Sequence, residues 1–104
     1  MDIQSADDKK NANIQTLMDK AMKDENTPKL YGNNFFIALG TGDVSLLLRN
    51  SNKDIAIINL SYTTAKSLSL KLQDIISFLE NKSKTKIMTS TEIENMMKKE
   101  EVLQ

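Results

Sequence analysis

The chain has 104 residues and contains no histidine, no cysteine and no tryptophan. The absence of cysteine excludes disulfides, thiolate metal sites and cysteine nucleophiles. The absence of histidine removes the commonest general base and metal ligand, and with it most catalytic triads and most zinc sites. We therefore expect a protein that is not an enzyme and that uses no cofactor and no metal.

An excess of charge of one sign and long apolar runs are also missing. Lysine and arginine together number 14, as do aspartate and glutamate, so no global field attracts nucleic acid or an anionic membrane. No run approaches the roughly 20 apolar residues of a membrane-spanning helix. The first ten residues lack the apolar core of a signal peptide. These features predict a cytoplasmic protein without a membrane partner.

The apolar residues that are present predict one α+β domain. Residues 1–11 are polar, and we expect them to be disordered. The single domain then covers residues 12–104. Its first element is a helix with an apolar face from Ile14 to Met22, which ends before Pro28 because proline disfavours helix at the residue before it.

Three apolar runs follow, at 35–39, 44–49 and 55–60, and short turns between them predict an antiparallel meander. Ser61 is placed to cap a long helix over 62–80, so that the core spans 33–80. A polar linker is expected at 81–88. A capping box, in which Thr89 and Glu92 satisfy free backbone N–H groups, predicts a short C-terminal helix over 89–103.

The strands are apolar at successive positions, although side chains alternate between the two faces of a sheet. One face of an antiparallel sheet is usually wet, so both faces here need cover. The long helix covers one, and either a second copy or the terminal helices cover the other. Cover by a second copy predicts a homo-oligomer, a dimer or higher, which could also bind a protein partner. Its interface residues are Phe36, Ala38, Leu47, Ile58, Ile93, Met96 and Met97.

Two other motifs have competing interpretations. Gly40-Thr41-Gly42-Asp43 lacks the lysine and following helix of a phosphate-binding loop, so it is read as a hairpin turn in which glycine supplies a positive φ. Lys82, Lys84 and Lys86 form a basic stretch that could contact phosphates together with Lys66, Lys71 and Arg49. No aromatic residue is interleaved for base stacking, and a solvated linker is the simpler reading.

The order of elements between Phe35 and Glu80 resembles a family of small bacterial proteins, the domain of unknown function DUF3467. The resemblance lies in the stretch Val44-Ser45-Leu46-Leu47-Leu48, in Ile57-Ile58-Asn59-Leu60-Ser61, and in a helix beginning Ala65-Lys66-Ser67-Leu68. Tyr62 stands where the family tends to have proline. The resemblance implies the β-β-β-α core and brings no established activity.

The sequence thus predicts a non-enzymatic, homo-oligomeric protein-interaction module. Two alternatives stay open from the sequence alone. One is an accessory nucleic-acid-binding protein that uses residues 82–86. The other is an inhibitor protein that sequesters a small ligand.

Overall fold

A computed structural model describes the backbone of residues 3–103 and the side chains of residues 13–98. It confirms the predicted α+β class, with three strands between an N-terminal helix and two further helices. In chain order the elements are α1 (Ile3–Lys23), β1 (Asn34–Leu39), β2 (Asp43–Asn50), β3 (Lys53–Ser61), α2 (Tyr62–Ser83) and α3 (Ser90–Leu103).

The first helix begins earlier than the apolar spacing predicts. The polar segment 1–11, expected to be disordered, is helical from Ile3 onward, while Met1 and Asp2 lie outside the described residues. Periodicity finds a helix only where one face is apolar, and this segment lacks such a face. The end of α1 agrees with expectation. The Asp24 carboxylate accepts from the Asn26 N–H at 2.9 Å and the Thr27 hydroxyl at 3.0 Å, which fixes a turn just before Pro28.

The three strands form one sheet in the order β1-β2-β3, so β2 is central and β1 and β3 are edges. The Gly40 N–H donates to the Asp43 carbonyl at 2.9 Å, which sets the β1–β2 register. Just before β1 begins, the Asn33 N–H donates to the Arg49 carbonyl at 3.0 Å. The Asn33 side-chain oxygen accepts from the Ser51 N–H at 2.8 Å, so this residue links the start of β1 to the β2–β3 turn.

The two hairpin turns reverse one expectation. The turn at Gly40–Asp43 is present, but none of the glycines has a positive φ, so the predicted use of glycine is wrong. Gly40 lies close to Asp43, since a Cβ there would be 2.6 Å from Oδ1, at the end of the Asp43 side chain, and 3.1 Å from the Asp43 carbonyl oxygen. The left-handed residue is Ser51, with φ of 55°, in the second turn.

Both C-terminal helices begin where their capping residues predict. The Ser61 hydroxyl oxygen accepts from the Thr64 N–H at 3.1 Å, and α2 continues past the expected end to Ser83 because Lys84 adopts a left-handed φ of 57° only there. The capping box of α3 is confirmed. Glu92 N–H donates to Thr89 Oγ1 at 3.2 Å, and Thr89 N–H donates to Glu92 Oε1 at 3.3 Å.

The chain divides into two compact units that cut across the strands. One contains α1 and Leu46–Ile58 with the first part of β1, and the other contains Ala38–Ser45, α2 and α3. Each unit has its own strand segments and helices. Neither contains a buried side chain among residues 13–98.

Candidate interaction surfaces

The apolar side chains that should form a core are exposed in the single chain. Among residues 13–98, 25 large hydrophobic side chains are exposed. Five of the predicted interface residues belong to this exposed group, namely Phe36, Ile58, Ile93, Met96 and Met97. The smaller Ala38 is also exposed, whereas Leu47 is half-buried. Burial of such side chains is the main favourable term in folding, and none of those among residues 13–98 is buried within the single chain.

In the first unit, cover is concentrated on the central strand. Leu46, Leu47 and Leu48 are all half-buried. The backbone at Gly32 lies against Leu48, because a Cβ at position 32 would be only 2.0 Å from Leu48 Cδ1 and 2.6 Å from Cγ. A glycine is therefore needed where the chain approaches β1 from Pro28. Position 32 did not stand out in the sequence as a packing site.

Arg49 connects the three strands in the same unit. Its guanidinium lies 5.8 Å from the centre of the Phe36 ring, a cation–π distance. Its Nε donates to Asp54 Oδ1 at 2.7 Å, and its Nη2 donates to the Asn52 carbonyl at 2.8 Å. The side chain that the sequence offered as a phosphate contact is thus engaged within the sheet. Only the spacing of Arg49 and Asp54 across a short turn signalled this in advance.

In the second unit, the apolar surface lies along the helices. The α2 residues Leu68, Leu72, Ile75, Ile76 and Leu79 recur at helical spacing, which places them on one face, and all are exposed. On α3, Ile93 and Met96 are exposed to the same extent, 45%, and Met97 follows at 54%. Phe78 widens the α2 face and is 64% exposed. This unit therefore carries two uncovered helix faces.

The basic stretch has partners of its own. Lys82 Nζ lies 5.8 Å from the centre of the Phe78 ring, and Lys86 Nζ lies 3.8 Å from Glu92 Oε2. Lys84 occupies the C-cap of α2. The Glu80 carboxylate also faces this region, where it accepts from the Ile87 N–H at 2.8 Å. Because Glu92 pairs with Lys86 and Glu80 lies in the same region as Lys84, the stretch is less basic than its lysines alone suggest. Phosphate binding there stays a prediction.

The hydroxyl cluster after β3 serves the backbone. Ser61 caps α2 and also donates to Thr64 Oγ1 at 2.8 Å, while the Tyr62 hydroxyl donates to the Gly40 carbonyl. No group of three or more acidic residues is arranged for a metal ion among the side chains of residues 13–98. Over the helices described, none is both long and apolar enough to cross a bilayer.

Among the side chains of residues 13–98, one titratable group is clearly perturbed. The pKa of Glu92 is lowered, first because its carboxylate accepts the Thr89 backbone N–H, then because it accepts the Thr89 hydroxyl, and finally because Lys86 lies nearby. All three causes belong to the start of α3. The perturbation therefore marks a helix cap that is stabilised by the charged form of Glu92.

No protein-family model, curated protein or solved structure matches this chain. The resemblance to the DUF3467 family stays a prediction.

Proposed function

We propose that this chain is a non-enzymatic protein-interaction module that folds and acts as a homo-oligomer. One observation carries the proposal: the large hydrophobic side chains of two strands and three helices are exposed together, with none buried among residues 13–98. A domain has only about 5–15 kcal/mol of net stability. Each Å² of apolar surface removed from water contributes about 25 cal/mol towards it. A chain without a core does not reach that stability alone.

Sequence composition supports the absence of catalysis in this proposal, because histidine and cysteine are missing altogether. A cytoplasmic location, an additional protein partner and a role as a ligand-sequestering inhibitor are compatible with it and stay predictions. The nucleic-acid alternative receives less support, since Lys82 and Lys86 already contact Phe78 and Glu92.

Light scattering coupled to size exclusion tests the proposal directly. We expect a mass of at least twice 11.7 kDa at micromolar concentration. We also expect a thermal midpoint that rises with protein concentration, because association stabilises only the folded state. A cooperatively folded monomer at micromolar concentration, with a midpoint independent of concentration, would refute self-association.

A further inference from the structure

The edge strand β1 offers unpaired backbone groups to an incoming strand. The bond from Gly40 N–H to the Asp43 carbonyl pairs these two residues across the turn. In an antiparallel ladder, hydrogen-bonded pairs recur at every second residue. Phe36 and Ala38 therefore direct their N–H groups to β2, and Ile37 and Leu39 direct theirs to the open edge. At the start of the strand, the Phe35 N–H already donates to Asn34 Oδ1 at 2.8 Å. The Arg49 contact supports this register, because it requires Phe36 and Arg49 to share a face.

Nothing in the sequence of β1 protects that edge. Its six residues, Asn34–Leu39, are all exposed, and Ile37 and Leu39 are 62% and 83% accessible. The strand contains no charge and no proline, which are the usual means of preventing edge-to-edge association. The other edge, β3, begins with Lys53 and Asp54. The two edges of the sheet are therefore chemically different, and only β1 is apolar along its length.

We propose that β1 pairs antiparallel with β1 of a second copy, centred on Ile37, to give a continuous six-stranded sheet. This inference rests on the self-association proposed above and assigns its site. A two-fold axis at Ile37 places the outward N–H and carbonyl groups of Ile37 opposite those of the second copy, and the Leu39 N–H opposite the Phe35 carbonyl. The pairing adds main-chain hydrogen bonds at this edge.

A second copy fits this edge because the strand is complementary to itself. In the register centred on Ile37, Phe36 opposes Ala38 of the second copy, so a large side chain meets a small one. On the other face, Phe35 opposes Leu39 of the second copy, a favourable aromatic–aliphatic pair. No charge is brought against a like charge. Ile37 and Leu39, the most exposed large apolar side chains of the strand, gain cover from Ile37 and Phe35 of the second copy.

Ile37→Pro and Ile37→Ala form a matched pair that tests the backbone contribution. Both remove the isoleucine side chain, but only proline removes the outward N–H, and it leaves the bonds to β2 intact. The central pair of a two-fold dimer loses two hydrogen bonds. We expect the dissociation constant measured by light scattering and analytical ultracentrifugation to rise roughly 30-fold more for Ile37→Pro than for Ile37→Ala. Equal dissociation constants would overturn edge pairing.

Cross-linking of otherwise wild-type protein covers the case in which the proline variant does not fold. The chain has no cysteine, so a single introduced thiol reports one position. Ile37→Cys and Ile57→Cys are matched in exposure, at 62% and 67%, but lie on opposite edges of the sheet. A short bismaleimide should join two copies through position 37 and not through position 57.

The outcomes separate the two proposals. Cross-linking at position 37 alone supports the β1 edge. A wild-type oligomer that cross-links at position 57 alone, or at neither position, overturns the β1 edge while leaving self-association standing. A wild-type monomer overturns both proposals.

Discussion

β1 and β2 are neighbours in one sheet and each carries a run of apolar residues, yet their surroundings differ. Every residue of β2 from Val44 to Arg49 is half-buried, whereas every residue of β1 is exposed. The central strand gains cover from a strand on each side and from the chain at Gly32. The edge strand has one neighbour. Apolar sequence therefore sets which surfaces need cover, and position in the sheet decides how much of that cover one chain supplies.

A second contrast separates polar from apolar needs. The polar groups at the starts of α2 and α3 are satisfied within a few residues of sequence, by Ser61 and by the Thr89–Glu92 pair. The apolar groups of the same helices remain open to water. Local devices thus define where these helices begin, and they leave the apolar faces of the same helices exposed.

The largest expected effect comes from placing a carboxylate on the central strand. Leu47→Asp puts a charge at a half-buried position flanked by both edge strands, and we expect a loss of about 3–4 kcal/mol, enough to unfold the chain. Phe36→Asp, on the exposed edge, should lower the oligomeric mass and destabilise less. Urea melts followed by circular dichroism, together with light scattering, measure both effects.

Asn50→Asp is the control for that comparison, since it adds the same charge at the exposed end of β2. It should change stability by less than about 0.5 kcal/mol. If Phe36→Asp destabilised the protein as strongly as Leu47→Asp at equal concentration, the difference between edge and centre would be lost. Equal effects would mean that the assembly buries both strands to the same depth.

Gly32→Ala tests the contact that covers the central strand. The added methyl would lie 2.0 Å from Leu48 Cδ1, so Leu48 or the backbone must move, and we expect a loss of about 1–3 kcal/mol. Gly42→Ala is the matched control, because a Cβ there meets no atom within 4 Å. It should have little effect. The double variant Gly32→Ala/Leu48→Ala should be destabilised by less than the sum of the two single variants, since the two side chains occupy the same space.

The features that the sequence could predict are those that depend on residues close together along the chain. The class, the strand order and the caps of α2 and α3 were predictable, because they depend on periodicity and on residues three or four apart. The role of Gly32 was not, because its neighbour Leu48 is distant in sequence. The doubled apolarity of the strands predicted that something must cover them. It did not reveal that the single chain leaves both helix faces uncovered as well.

Thr89→Ala tests a local device in the same way. It removes the N-cap hydroxyl that accepts the Glu92 N–H, and we expect a loss of about 1 kcal/mol. Thr91→Ala, within the first turn, should be neutral or slightly stabilising because alanine has the higher helix propensity. Chemical denaturation at fixed protein concentration compares the two variants. A larger loss from Thr91→Ala would argue against the capping box as the stabilising feature.

The same cap gives a pH dependence whose sign is fixed. The pKa of Glu92 is lower in the folded chain than in the unfolded chain, so folding favours the ionised form. Its stabilising effect is complete above the unfolded pKa of about 4.3 and is lost as pH falls through the lower folded pKa. Stability of wild type relative to Thr89→Ala should therefore shrink on acidification from pH 6 to pH 3. A constant difference would contradict the assignment.

The smallest effect is expected at the turn that joins β2 to β3. Ser51 has a left-handed φ of 55°, a conformation that costs a residue with a Cβ about 1–2 kcal/mol and costs glycine almost nothing. Glycine also increases the freedom of the unfolded chain, which offsets about 0.4–1 kcal/mol of that gain. Ser51→Gly should therefore stabilise by about 0.5 kcal/mol while keeping the backbone bond from its N–H to Asn33.

Asn52→Gly, one residue later, provides the opposite case. Asn52 is not among the residues with positive φ, so glycine there only increases unfolded-chain freedom and should destabilise by about 0.5–1 kcal/mol. Both changes leave the Asn52 carbonyl free to accept from Arg49. Urea midpoints of the two variants should move in opposite directions from wild type. A shift in the same direction would show that the left-handed φ of Ser51 does not affect the stability of the β2–β3 turn. Opposite shifts would show that this φ costs folding free energy at Ser51.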